Sequence, residues 1–89
     1  MADRELPVSF SSFVVSLASS AMLYLGEAPD PVTRESRVEL PLARQTIDAL
    51  GMLKDKTKGN LDDEETRLLD TLLMDLRTKY VERVKAKGE

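Results

Sequence analysis

The chain has no cysteine, no histidine and no tryptophan. Without cysteine there is no disulfide framework, and without cysteine or histidine there is no thiolate or imidazole metal site to supplement a small core. The missing cysteine fits a reducing compartment, and the expectation is a cytoplasmic protein. Aromatic residues make up only 4%, which leaves few platforms on which bases could stack. The net charge of −3 and sequence pI near 5.0 repel phosphate backbones, so nucleic acid is not an expected partner. No glycine-rich phosphate loop, Ser/His/Asp set or metal-ligand spacing occurs, so neither catalysis nor a cofactor is expected.

Charge is also missing from one long stretch. Between Glu5 and Glu27 there is no charged residue at all. The stretch is neither a membrane span nor a signal peptide. It is interrupted by Ser9, Ser11, Ser12, Ser16, Ser19 and Ser20, and Met1-Ala2-Asp3-Arg4-Glu5 is net acidic where a signal peptide begins basic.

What is present is helical periodicity. From Leu40 to Leu61, placing residues at about 100° each puts Leu42, Ala43, Thr46, Ile47, Ala49, Leu50 and Leu53 on one face. Arg44, Gln45, Asp48, Asp55 and Lys56 lie on the other. Pro41 suits the first turn, Lys54, Lys56 and Lys58 favour the C-terminal end, and Gly59 supplies a left-handed stop. Asp62 then caps the next helix, with Glu65 closing a capping box, so the two helices form an αα-hairpin. The same assignment accounts for Asp62-Asp63-Glu64-Glu65 without calcium, since the run lacks the alternating acids and central glycine of a calcium loop. A helix-turn-helix role is excluded by charge, because Asp63, Glu64 and Glu65 would face the polyanion.

Several of these residues also carry a family resemblance. The run Leu42-Ala43-Arg44-Gln45-Thr46-Ile47-Asp48, continuing through Gly51-Met52-Leu53 to Lys56-Thr57-Lys58-Gly59-Asn60-Leu61, resembles the signature of a small bacterial family catalogued as domain of unknown function 1844. Phe10 to Ala21 is similar to that family's first helix, and Pro29-Asp30-Pro31 to its connecting turn. The resemblance spans roughly Val8 to Tyr80. Members often carry glycine after the threonine of that turn, whereas Arg34 and Glu35 follow Thr33 here. The resemblance implies a helical soluble protein and implies no activity.

The expected fold is all-α, with three helices at about 9–25, 41–58 and 63–85. The second and third form the hairpin, the first packs across it, and residues 1–8 and 86–89 are frayed ends. On the first helix, Phe10, Phe13, Val14, Leu17, Ala18, Ala21, Tyr24 and Leu25 make the core face, extended by Val15 and Met22. Opposite lie the serines around Leu23. A solvated face normally carries Lys and Glu, so this one is either an ordinary serine-rich surface or, as favoured here, a place of close approach by a second copy. A chain of this length buries only about 60 to 65% of its unfolded surface, which makes further burial by self-association attractive. Ser12, Ser16, Ser19 and Leu23 are therefore assigned to self-association in a homodimer.

Gly26 to Glu39 is expected to be a rigid turn followed by an extended piece that crosses over the bundle. On the third helix, Leu68, Leu69, Leu72, Leu73, Leu76, Tyr80 and Val84 form the apolar arc. Met74 and Val81, seven apart, form a narrow second stripe. They are either incidental exposed residues or a rim of the contact between copies, and they join the self-association set. The cations from Arg77 to Lys87 suit the end of a helix and are read as a solvated tail, with a site for an anion or acidic partner as the alternative.

The resulting expectation is a non-catalytic helical module that assembles with itself and binds an unidentified protein partner. One alternative is a small-ligand or enzyme site on the polar face of the second helix, built from Arg44, Gln45, Asp48 and Met52. Another is peripheral membrane association through Phe10, Phe13 and Leu17, which the serine content argues against.

Overall fold

Ser9 opens the first helix. In the computed structural model, which describes residues 8–88, its Oγ accepts from the Ser12 N–H at 3.0 Å, while the Ser12 Oγ accepts from the Ser9 N–H at 3.3 Å. This is a reciprocal capping box made from two serines. Helix α1 then runs Phe10–Tyr24. Its end is a Schellman turn: Gly26 takes φ +78°, its N–H donates to the Leu23 carbonyl and that of Glu27 to the Met22 carbonyl, both at 3.0 Å.

Helix α2 spans Leu40–Lys56, with Pro41 in its first turn. Thr57 closes it by returning its hydroxyl to the Leu53 carbonyl at 2.6 Å, and Gly59 follows at φ +88°, the left-handed stop expected there. Helix α3 spans Asp63–Gly88. Asp62 and Glu65 make the expected box at its start, with bonds of 2.8 and 2.9 Å. At 1.5 Å per residue α3 is about 39 Å long, well over either of its neighbours.

Every pair of helices is in contact, and each helix buries residues at alternating intervals of four and three. On α1 these are Val14, Ala18 and Ala21, continued by Leu25 beyond the helix; on α2, Ala43, Ile47 and Leu50; on α3, Leu69, Leu73 and Leu76. That spacing keeps one stripe of each helix turned toward a common axis. Full burial of a leucine or valine contributes about 1.5–3 kcal/mol, so these stripes hold the three helices together. No polar or charged residue is buried among the described residues.

Two expectations need correction. Phe13, Leu42 and Val84 were assigned to core faces but are 52%, 40% and 40% exposed. The Cα envelope is 16 Å in its thinnest direction, enough for two layers of helix. Residues on the margins of each apolar face therefore meet no further element. The Gly26 to Glu39 connection also does not cross the bundle. Leu25 and Val38 form an antiparallel bridge, and the Glu39 N–H donates to the Tyr24 carbonyl at 2.6 Å, so the segment leaves and returns at one point. Backbone pairing is satisfied most locally when its two ends pair with each other.

The helix bounds differ from expectation by at most three residues, and residues 86–88 continue α3 rather than fray. Of the other expected frayed residues, 1–7 and 89 lie outside the described residues, and Val8 directly precedes the Ser9 cap.

Candidate functional site

Two surfaces collect the residues singled out in the sequence. The first is the outer face of α1. Ser12, Ser16 and Ser19 are exposed there and Leu23 is half-buried. Phe13 and Val15 flank them, about half exposed. Part of the serine content has a local explanation, because the Ser12 hydroxyl serves the helix cap. Of the three residues named for membrane contact, only Phe13 is exposed; Phe10 and Leu17 pack against the core. No helix among the described residues is long and apolar enough to cross a membrane.

The second surface is the groove between α2 and α3. Arg44, Ile47 and Asp48 of α2 and Arg77, Tyr80 and Val81 of α3 line a hollow of about 350 Å³. A shallower one beside it, about 550 Å³, includes Asp48, Gly51, Met52 and Arg77. No α1 residue lines either, so Val81 keeps company with Arg44 and Asp48 rather than with the α1 serines. Met74, two helical turns before Val81, shares its face of α3 and is 69% exposed. The residues assigned to self-association thus fall on two separate surfaces. Gln45 is exposed and lines neither hollow.

The groove carries charges of both signs. Arg44 Nε lies 3.7 Å from Asp48 Oδ2 with both side chains 70% exposed, an i,i+4 surface pair. Such a pair contributes about 0.3–0.5 kcal/mol and leaves both groups available to solvent. Arg77 lies across α2 at Gly51, where an added Cβ would come 3.0 Å from its Nη2. Arg77 and Tyr80 were not linked to this surface in the sequence. The signal that could have found the approach is Gly51 itself, since glycine inside a helix costs about 1 kcal/mol against alanine and marks a close neighbour.

A third hollow, about 280 Å³, lies at the α2–α3 turn against Leu61 and Leu69, with Lys54 and Lys58 at its edge. Lys54 Nζ is 2.8 Å from Asp70 Oδ1 across the hairpin. Among the described residues no cluster of three or more potential ligands could hold a metal ion.

In the α1–α2 connection, Asp30 Oδ1 accepts from the Val32 and Thr33 N–H groups at 2.7 and 3.1 Å. These two bonds hold its carboxyl below the usual carboxylate range, with a smaller contribution from Arg37.

The fold and surfaces define a small all-α protein of three mutually packed helices. The sequence profile of the family described as Domain of unknown function (DUF1844) matches residues 7–82, and the chain belongs to that family. No curated protein and no solved structure matches it.

Proposed function

We propose that the protein is a non-catalytic cytoplasmic interaction module that associates with a second copy through the outer face of α1 and binds a further protein with its remaining surface. The observation that carries this is a fifteen-residue helix without a charged side chain whose Phe13 and Val15 nevertheless stand half in solvent. A helix face left to water ordinarily carries ionised residues. An uncharged face can approach its own copy without stranding a charge, and small serines let the two backbones come close.

Sedimentation velocity of the purified chain and of Ser16→Glu tests it. The wild type is expected as an assembly of copies and the variant at half its mass. A monomeric wild type, or a variant of unchanged mass, overturns the α1 assignment.

A second reading is supported by the α2–α3 groove, where Arg44, Asp48 and Arg77 converge beside Tyr80. It makes the protein a small-ligand binder. A metabolite whose thermal stabilisation of the chain disappears in Asp48→Ala would favour it.

A further inference from the structure

Along α3 a second stripe runs beside the buried one. Asp63, Arg67, Asp70, Met74, Thr78, Val81 and Lys85 follow one another at intervals of four, three, four, four, three and four. On a helix they cluster within about 80° of arc. Asp70 is half-buried and the other six are exposed, with Met74 69% and Val81 50% exposed. The intervals read the same in both directions from Met74, so two such stripes laid antiparallel about Met74 remain in step along their whole length.

Charge follows the same symmetry. From Asp63 to Asp75 there are five carboxylates and one cation, Arg67; from Arg77 to Lys87 there are five cations and one carboxylate, Glu82. The helix dipole accounts for acids in the first turn and cations in the last, but it falls off within a turn. Asp70, Asp75, Arg77 and Lys79 lie beyond its reach. Asp70 is held by Lys54, Lys79 by Asp75 and Arg83 by Glu27 within the chain. Asp63 and Lys85, at opposite ends of the stripe, have no ionic partner among the described residues.

We infer that α3 forms a contact between copies, separate from the α1 surface, in which the two α3 helices lie antiparallel about a two-fold axis at Met74. Met74 then meets Met74 of the second copy, Arg67 lays its aliphatic stem on Val81, and Asp63 pairs with Lys85 at each end. Such a contact is isologous, so each apolar or ionic match is made twice. A parallel arrangement would set acid against acid and cation against cation. Opposite-charge pairs at the flanks select the antiparallel partner and disfavour the parallel one.

The absence of cysteine makes the test direct. Single cysteines are introduced as Met74→Cys, Val81→Cys and Arg67→Cys in the full chain, and disulfide formation is followed under mild oxidation. Met74→Cys, on the axis, is expected to link to itself at least about tenfold faster than Val81→Cys, whose two copies would lie about 21 Å apart along the helices. An equimolar mixture of Arg67→Cys and Val81→Cys is expected to give the mixed dimer in preference to either self-linked form. Equal rates for Met74→Cys and Val81→Cys overturn the inference, whether they reflect a parallel pair, random collision or a different protein on this face. A dimer by sedimentation that Ser16→Glu abolishes, with no preference at position 74, also overturns this contact and leaves the α1 proposal standing.

Discussion

Arg83 Nη2 donates to Glu27 Oε2 at 3.1 Å, joining the last third of α3 to the turn that follows α1. Both side chains are about one-third exposed, so solvent screens the pair. A double-mutant cycle with Glu27→Gln and Arg83→Met is expected to give a coupling of about 0.5–1 kcal/mol in urea denaturation. A coupling indistinguishable from zero would mean that α3 is held at this end by its apolar contacts alone.

Arg34 is the only non-glycine residue with positive φ among the described residues, at 66°, and its N–H donates to the Asp30 carbonyl at 2.7 Å. A left-handed conformation costs a residue with a Cβ about 1–2 kcal/mol, a cost glycine escapes. Arg34→Gly is therefore expected to raise stability by about 0.5–1 kcal/mol after the extra freedom of glycine in the unfolded chain is counted. The midpoint of urea denaturation checks it; a lowered midpoint would show that the arginine side chain contributes more than its backbone costs.

Asp30 predicts a response to acid. Its folded-state pKa lies below the ordinary carboxylate value because the Val32 and Thr33 N–H groups stabilise the ionised form, aided by Arg37. For a depressed carboxylate, the contribution to stability is fully present above the unfolded pKa and is lost as pH falls through the folded one. Asp30→Asn keeps an oxygen acceptor for both bonds but cannot titrate. The variant is expected to lose less stability than the wild type between neutral pH and the folded pKa of Asp30. A carboxyl carbon titrating at or above the ordinary aspartate value by NMR would contradict this.

The helices were legible because their signals are local. Gly26, Gly59 and the Asp62–Glu65 pair mark their ends with side chains or backbone angles that act within a few residues. The 4–3 spacing of the buried residues is likewise visible before folding. Which residues at the edge of each apolar face become buried was not legible. Phe13 and Leu17 look equivalent on a wheel, yet only Leu17 packs against the core, because burial at an edge depends on where a neighbouring helix happens to lie. Which candidate residues share a surface was not legible for the same reason. Val81 and Asp48 are thirty-three positions apart in sequence, and only the packing of α2 on α3 brings them to one groove.

The closed base of the α1–α2 connection makes its tip a usable handle. Leu25 bridges Val38 and Tyr24 bonds Glu39, so the two ends of the connection are fixed to each other, while Val32 between them is 86% exposed. A fluorophore or short epitope inserted between Pro31 and Thr33 would report on the molecule in its native host while leaving α1, the groove and α3 as they are.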